Sequence, residues 1–79
     1  MSNLDLYKKT FISSLSIDEK VFSEKLEYNE IPEWDSIGHM SMIAGLEETF
    51  DIIMEMDDII DFSSYKVGKE IIKKYGVLL

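Results

Sequence analysis

Apolar residues recur at helical spacing in four segments of the 79-residue chain. We predict helices over residues 4–15, 36–50, 56–62 and 65–75. At about 100° per residue, the first and the last place their apolar positions on one face, and the second spreads them over all but one polar arc. The third is short and has acids in its first turn. The two clearest apolar stripes are Leu4, Tyr7, Phe11, Ile12 and Leu15 in the first helix, and Val67, Ile71, Ile72 and Tyr75 in the last. No segment alternates convincingly with a period of two, so the pattern does not predict a sheet.

Capping residues support these helix limits. Ser2 or Asn3 suits the start of the first helix, with Asp5 in its first turn, and Gly76 suits the end of the last helix. Residues 16–35 form a long connection, in which the capping-box spacing of Ser16–Glu19 predicts a short helical turn through Phe22. Loops of this length are usually functional or disordered, and the apolar residues spaced along it indicate that it packs on the body.

The order of these segments predicts an all-α fold with one domain over residues 1–79. We expect a small four-helix bundle, in which three longer helices and a short third helix follow one another and a long loop joins the first two. A chain of this length buries only about 60% of its unfolded surface. It leaves little room for a catalytic cleft, so we expect a protein that is not an enzyme, unless it acts as a subunit.

Charge is distributed unevenly along the chain. The net charge is −8, the eight positive residues are all lysines, and no Lys or Arg lies between Leu26 and Tyr65. That stretch holds the acids Glu27, Glu30, Glu33, Asp35, Glu47, Glu48, Asp51, Glu55, Asp57, Asp58 and Asp61. The acidity disfavours binding to nucleic acid or to an anionic membrane. The acidic centre is either a solvated face or a docking surface for basic patches on partners.

Several classes of site and location are not expected. The chain has no cysteine, which excludes disulfides and thiolate chemistry. Asp57, Asp58 and Asp61 lack the alternating oxygen ligands of a calcium loop, so we predict no metal site. There is neither a basic segment followed by an apolar run at the N-terminus nor an apolar stretch near the about 20 residues that span a bilayer. We therefore expect a cytoplasmic protein and most simply a monomer.

Ser36 is the leading candidate for chemistry. It follows Asp35 at the predicted start of the second helix, where free N–H groups and the helix dipole favour a negatively charged group. A phosphodiester on Ser36 would benefit from both. The alternative is that Asp-Ser before an apolar helix is an ordinary helix cap.

The residues around Ser36 resemble those of a known family. Asp35-Ser36-Ile37 is similar to the Asp-Ser-Leu attachment motif of acyl and peptidyl carrier proteins. Leu46-Glu47-Glu48-Thr49-Phe50-Asp51 resembles the family's Leu-Glu-Glu-x-Phe-Asp ending of the same helix. The order of helices, the long loop and the acidic centre also match, so the resemblance to the acyl carrier protein family covers essentially the whole chain.

This resemblance implies a function and a cofactor. A phosphopantetheinyl transferase would attach 4′-phosphopantetheine to Ser36, and the arm would carry an acyl or aminoacyl group as a thioester. Further partners would be an acyl-loading ligase or transferase and downstream acyl-processing enzymes. The resemblance places Asp35 and Ile37 beside the attachment site and implies these partner contacts: Asp35, Ile37, Met40, Glu47 and Glu48. It also implies that an acyl pocket would be lined by Ile43, Leu46 and Phe50, for which core packing is the alternative.

Two departures from the family pattern bear on the pathway. Carriers of fatty acid synthesis usually have acids where this chain has Gly38 and Ser41. The stretch from Trp34 to Met40 looks more like carriers of specialised pathways, such as polysaccharide-linked or secondary-metabolite clusters. We therefore expect a specialised biosynthetic role, with fatty acid synthesis as the alternative.

His39 and the overall function each leave alternatives open. His39 is either a half-buried neutral residue on the inner face or a contact of the arm or a partner. Trp34 packs either on the first turn of the second helix or on the arm. Apart from a carrier, the chain is compatible with an acidic helical interaction domain without cofactor, in which Ser36 is only a cap, and with a small subunit of a larger enzyme.

Overall fold

The computed structural model describes residues 2–79, which fold into four helices. They are α1 (Asn3–Leu15), α2 (Ser36–Phe50), α3 (Met56–Asp61) and α4 (Tyr65–Lys73). Within the described residues there is no strand, only one isolated antiparallel bridge between Glu27 and Ser64. The predicted all-α class and the four helical segments are therefore confirmed. None of the helices in this range is both long and apolar enough to cross a membrane.

The first helix begins and ends on serines. Ser2 caps it through a full capping box, in which its hydroxyl accepts from the Asp5 N–H and its own N–H donates to the Asp5 carboxylate. Ser16 ends the helix in the left-handed region at φ 55°. The capping box predicted at Ser16 is therefore wrong, and the single turn that follows is closed instead by Asp18, whose carbonyl accepts from Val21 at 2.9 Å.

The second helix packs directly against α1. Gly45 lies at their crossing, where a Cβ atom would collide with the Ser14 hydroxyl. Beside it, the hydroxyls of Thr10 and Thr49 lie 3.0 Å apart in a hydrogen bond. This close approach requires a residue without a side chain at position 45, and it fixes α2 on the rest of the bundle.

The long loop is fastened to the junction between α3 and α4. Tyr28 N–H donates to the Ser63 carbonyl at 2.9 Å, and Tyr65 N–H donates to the Leu26 carbonyl at 3.0 Å. Leu26 and Trp34 are buried in the core. The expectation that the loop packs on the body is confirmed by these contacts. The short turn expected through Phe22 is also present, since Phe22 N–H donates to the Asp18 carbonyl at 3.3 Å.

The centre of the bundle is an aromatic core of Tyr7, Phe11, Trp34, Phe62 and Tyr65, each at most 1% exposed. The Phe11 ring centroid lies 5.0 Å from that of Trp34 and 5.1 Å from that of Tyr65, both edge to face. The Tyr7 hydroxyl donates to the Tyr65 carbonyl at 2.7 Å. Burial raises the pKa of the Tyr7 hydroxyl well above its usual range and that of Tyr65 to about 12, so both phenols stay neutral.

Gly68 lets α4 approach this aromatic core. A Cβ atom there would collide with the Phe62 ring and with the Tyr7 hydroxyl. The Ser64 hydroxyl caps α4 by accepting from Val67 N–H at 3.0 Å. The helix ends at Lys73, two residues before the predicted limit, because the last turn tightens into i to i−3 bonds that run to Gly76 at φ 86°. In contrast to the predicted stripes, Leu4 and Val67 are 39% and 40% exposed, since both lie in first turns at the edge of the core.

The short helix α3 is joined to the end of α4 by polar side chains. The Asp58 carboxylate accepts hydrogen bonds from the Lys74 ammonium and the Tyr75 hydroxyl. The Tyr75 hydroxyl in turn accepts from Glu55 N–H at 2.9 Å. The hydrogen bonds from Lys74 and then Tyr75 lower the pKa of Asp58, which keeps this carboxylate ionised.

Candidate functional site

Ser36 is exposed and occupies the first position of α2. The residue that caps the helix is Asp35, whose carboxylate accepts from Gly38 N–H at 2.8 Å. The Asp-Ser pair does form the helix cap given as the alternative, but Asp35 makes it and the Ser36 side chain takes no part. Within residues 2–79, no partner holds the Ser36 hydroxyl, which leaves this nucleophile accessible at a helix N-terminus.

Gly38 positions this start of α2 against the preceding loop. A Cβ atom at Gly38 would collide with the Glu33 carbonyl oxygen and would lie 3.3 Å from a methyl carbon of Leu15. The backbone of the loop and the first turn of α2 are therefore in direct contact. The departure from the carrier pattern at this position has a structural reason, because an acidic side chain would not fit.

A groove opens beside Ser36, between α2, α3 and the long loop. Its volume is about 340 Å³, and its lining is mostly apolar. The residues that line the groove are Tyr28, Ser36, His39, Met40, Met56, Ile59, Ile60, Phe62 and Ser63. All of them belong to the stretch between Leu26 and Tyr65 that has no lysine or arginine. Ser36 thus lies at the edge of an apolar groove whose lining carries no lysine or arginine.

Four large apolar side chains are exposed around the groove and Ser36. Ile37 is 78% exposed, Met40 53%, Met56 68% and Ile60 69%. Met40, Met56 and Ile60 line the groove, and Ile37 follows Ser36 directly in the chain. Neighbouring exposed apolar residues are typical of a contact surface. We call Ile37, Met40, Met56 and Ile60 the apolar rim.

His39 lies at the inner wall of the groove and makes two side-chain hydrogen bonds. The Trp34 indole Nε1 donates to His39 Nδ1 at 2.9 Å, and His39 Nε2 lies 2.8 Å from the Ile59 carbonyl oxygen. An indole only donates and a carbonyl only accepts. The two bonds therefore require the neutral imidazole with its proton on Nε2. The half-buried neutral histidine expected from the sequence agrees with this geometry.

The predicted partner-contact residues lie in different surroundings. Ile37 and Met40 belong to the apolar rim, and Asp35 is exposed while it caps α2. The Glu47 carboxylate is only partly exposed, because it accepts from Met54 N–H at 2.9 Å and holds the connector after α2. Glu48 is exposed but lies on the side of α2 that faces α1. The structure therefore gathers Asp35, Ile37 and Met40 around Ser36 but not the two glutamates.

The predicted pocket residues do not line the groove. Ile43 and Leu46 are 1% and 0% exposed and belong to the core, and Phe50 is half-buried against it. Ile43 and Leu46 lie with Met42 on the buried face of α2. Core packing, the alternative given for these three residues, describes their position.

The groove is instead lined by three residues of α3 and three of α2, and the sequence singled out no individual residue of α3 for the site. Met56 and Ile60 are four residues apart and therefore share a face, and Ile59 supplies the floor beside His39. The sequence did contain a signal for the groove, because a helix as short as α3 cannot bury all of its apolar residues. Among the described residues, no three histidine or acidic side chains are grouped closely enough to hold a metal ion.

Comparison with known proteins adds no further assignment: no family model matches the chain, and neither a curated protein nor a solved structure matches it. The function is therefore argued from these residues and their geometry.

Proposed function

We propose that this protein is an acyl carrier that holds its cargo on a 4′-phosphopantetheine arm attached to Ser36. The observation that carries the proposal is the exposed, uncommitted Ser36 hydroxyl at the start of α2, on the edge of an apolar groove. The proposal includes the fold: the four helices, with a long loop before α2 and a short α3, form a bundle of the carrier type. When bound, the group supplies a terminal thiol that holds an acyl or aminoacyl chain as a thioester.

The residues around Ser36 fit a phosphodiester. The N–H groups in the first turn of α2 and the helix dipole favour negative charge at this position. The Asp35 carboxylate already accepts from Gly38 N–H and would repel a phosphate beside it. A phosphodiester on Ser36 therefore has to point away from Asp35. The exposure of Ser36 allows this direction. The apolar groove gives the first part of an acyl chain a surface on which to rest.

His39, the nearest histidine to Ser36 in the described residues, is not available as a base for the attachment. Both nitrogens of His39 are engaged, one by the Trp34 indole and one by the Ile59 carbonyl. The transferase therefore has to take the proton from the Ser36 hydroxyl as the Oγ–phosphorus bond forms and the adenosine bisphosphate part of coenzyme A leaves. This supports a role as the substrate of a transferase rather than as an enzyme.

The apolar rim provides the partner contacts of the proposal. Ile37 and Met40 flank Ser36 on α2, and Asp35 adds a negative charge next to it. A partner with an apolar depression and a basic margin fits this surface. The loss of charge at Gly38 and Ser41 makes the apolar share larger, which favours partners of a specialised pathway over those of fatty acid synthesis.

The direct test is the intact mass after incubation with coenzyme A, magnesium and a broad-specificity phosphopantetheinyl transferase. We expect the wild-type protein to gain one phosphopantetheine group and Ser36→Ala to gain none. Ser41→Ala is the matched control, because Ser41 is another exposed serine of α2; it should be modified like the wild type. Absence of modification in the folded wild-type protein with several transferases would refute the proposal.

The apolar rim also favours a second candidate, an acidic interaction domain without cofactor. Such a domain would use Ile37, Met40, Met56 and Ile60 as its contact surface and would leave Ser36 unmodified. The mass experiment separates the two candidates. A small subunit of a larger enzyme would be recognised by a stable complex of fixed stoichiometry on size exclusion.

A further inference from the structure

The methionines of residues 2–79 form an exposed pair and a buried pair. On α2, Met42 is 0% exposed, whereas Met40, two positions earlier, is 53% exposed. In the connector after α2, Met54 is 5% exposed, whereas Met56, which begins α3, is 68% exposed. Residues two positions apart on a helix do not share a face, so α2 turns Met42 to the core and Met40 to the solvent.

The two exposed methionines belong to the groove beside Ser36. Met40 lines it from α2, and Met56 lines it from α3. Methionine side chains are unbranched and polarizable, and they adapt to apolar partners of different shapes. A chemical change at these two sulfur atoms therefore changes the surface of the groove on both helices.

The other readily oxidised side chains of the described residues are covered. Met42 and Met54 belong to the hydrophobic core, and Trp34 is 0% exposed. The N–H of Met54 also donates to the Glu47 carboxylate at 2.9 Å, which holds this part of the connector. The chain has no cysteine. Within residues 2–79, Met40 and Met56 are thus the sulfur side chains that a dissolved oxidant reaches directly.

The chemistry at a thioether is simple and reversible. When the sulfur attacks hydrogen peroxide, an S–O bond forms, the O–O bond breaks, and the peroxide is reduced to water. The sulfur is oxidised by two electrons to a sulfoxide, which methionine sulfoxide reductases can convert back. The product is polar, and an apolar molecule that covers its oxygen removes water without replacing the hydrogen bond.

We propose that Met40 and Met56 are a reversible oxidation site that switches the groove from apolar to polar. The fold survives the change, because Met42 and Met54 stay covered in the core. The inference concerns the unmodified chain and stands whether or not Ser36 carries a phosphopantetheine arm.

The first test locates the oxidation. The full-length, unmodified protein is treated with hydrogen peroxide, the reaction is stopped with catalase at a series of times, and peptide mapping by mass spectrometry counts the added oxygen. We expect Met40 and Met56 to react at least about tenfold faster than Met42 and Met54, because oxidation follows exposure. Met1 lies outside the described residues, so the map, rather than the intact mass, is the measurement that decides.

The second test measures the groove with Nile red, a neutral apolar dye whose fluorescence rises on apolar surfaces. We expect oxidation to raise the Kd for the dye about tenfold, as the polar sulfoxides lose water without a partner, and a methionine sulfoxide reductase to restore it. The midpoint of urea unfolding should stay the same. A loss of dye binding together with an earlier midpoint would mean unfolding and would overturn the proposal.

Two double variants complete the test. Leucine is apolar, close in volume to methionine and not oxidised, so peroxide should leave the Kd of Met40→Leu/Met56→Leu where it was. Met42→Leu/Met54→Leu is the matched control and should respond to peroxide like the wild type.

Three further results would overturn the proposal. They are equal oxidation rates of exposed and buried methionines, dye binding that is absent before oxidation or unchanged after it, and an equal response of Met40→Leu/Met56→Leu and the wild type. If the core variant does not fold, the peptide map and the rim variant still decide the question.

Discussion

The bundle has two sides that are held together in different ways. The α1 side is closed by large apolar side chains and by close helix contacts at Gly45 and Gly68, with the aromatic core at most 1% exposed. The α3 side is closed by a few side-chain hydrogen bonds and leaves the apolar rim exposed. Close packing resists change, because any gap removes many contacts at once. Single side-chain hydrogen bonds can break one at a time, so the side of the bundle next to Ser36 can change its conformation more easily.

The strongest way to test this contrast is to remove one large apolar side chain from each side. Phe11→Ala deletes a ring at the centre of the aromatic core and should reduce the free energy of unfolding by about 3–5 kcal/mol, a large part of the total for a small domain. Ile60→Ala removes a side chain that is 69% exposed and should change it by less than about 0.5 kcal/mol. Urea unfolding followed by far-UV circular dichroism measures both. Equal losses would contradict the contrast.

A smaller change removes a single hydroxyl from the aromatic core. Tyr7→Phe removes the hydrogen bond from the Tyr7 hydroxyl to the Tyr65 carbonyl and should lower the free energy of unfolding by about 0.5–1.5 kcal/mol. Tyr28→Phe is the control, because Tyr28 is 42% exposed and its hydroxyl makes no hydrogen bond within the described residues. The same unfolding experiment compares them, and a larger loss for Tyr28→Phe would argue against the role assigned to Tyr7.

Low pH should weaken the hydrogen bonds that join Asp58 of α3 to Lys74 and Tyr75. Hydrogen bonds from Lys74 and Tyr75 lower the pKa of Asp58 below its ordinary value of 3.8. The resulting stability is fully present above the unfolded pKa and is lost as pH falls through the folded pKa. We expect Asp58→Asn to be less stable than the wild type at neutral pH and to lose less stability below about pH 4.

The control for this acid dependence is Asp57→Asn, which neutralises the exposed neighbour on the same helix turn. Unfolding curves collected over a series of pH values should show the acid-dependent loss of the wild type in Asp57→Asn and a weaker one in Asp58→Asn. If both variants follow the wild type, Asp58 does not tie α3 to the end of α4.

The smallest effect on stability is expected at the apolar rim. Ile37→Ala and Met40→Ala should leave the free energy of unfolding within about 0.5 kcal/mol. On the proposed carrier function, each should lower kcat/KM for modification by the transferase about fivefold or more, since a buried anchor in an interface is worth about 1 kcal/mol or more. Val21→Ala, on the exposed part of the loop, should change neither quantity, and an equal drop in this control would remove the rim from the interface.

Helix positions followed from the sequence because local signals agree with the packing. The limits of α2 were predicted without error, since Asp35 caps it and Asp51 ends it in the left-handed region. The site was predicted less completely. The exposure of Ser36, Ile37 and Met40 agrees with their expected place, but the groove depends on how α3 lies against α2. A periodicity describes one helix and says nothing about this angle.

The two side-chain hydrogen bonds that hold α3, from His39 to Ile59 and from Lys74 to Asp58, illustrate the same limit. His39 and Ile59 are 20 positions apart, and Lys74 and Asp58 are 16 apart. Neither spacing follows a helical repeat, so no pattern along the chain pairs them. Glu47 is a further case. The resemblance implied a partner contact for this residue and gave no sign that its carboxylate accepts a hydrogen bond from Met54 N–H. Side-chain partners across a fold follow from three-dimensional packing alone.

The bond between Tyr7 and Tyr65 has a consequence for the order of folding. It joins positions that are 58 residues apart, and Tyr65 also carries the edge-to-face contacts of Phe11 and Phe22. A nascent chain that has emerged only as far as α3 has α1 and α2 but lacks the ring that completes their shared centre. Closing so long a loop is slow relative to forming the helices themselves. We therefore expect α1 and α2 to associate early as a loose pair and to become fully ordered only when α4 docks.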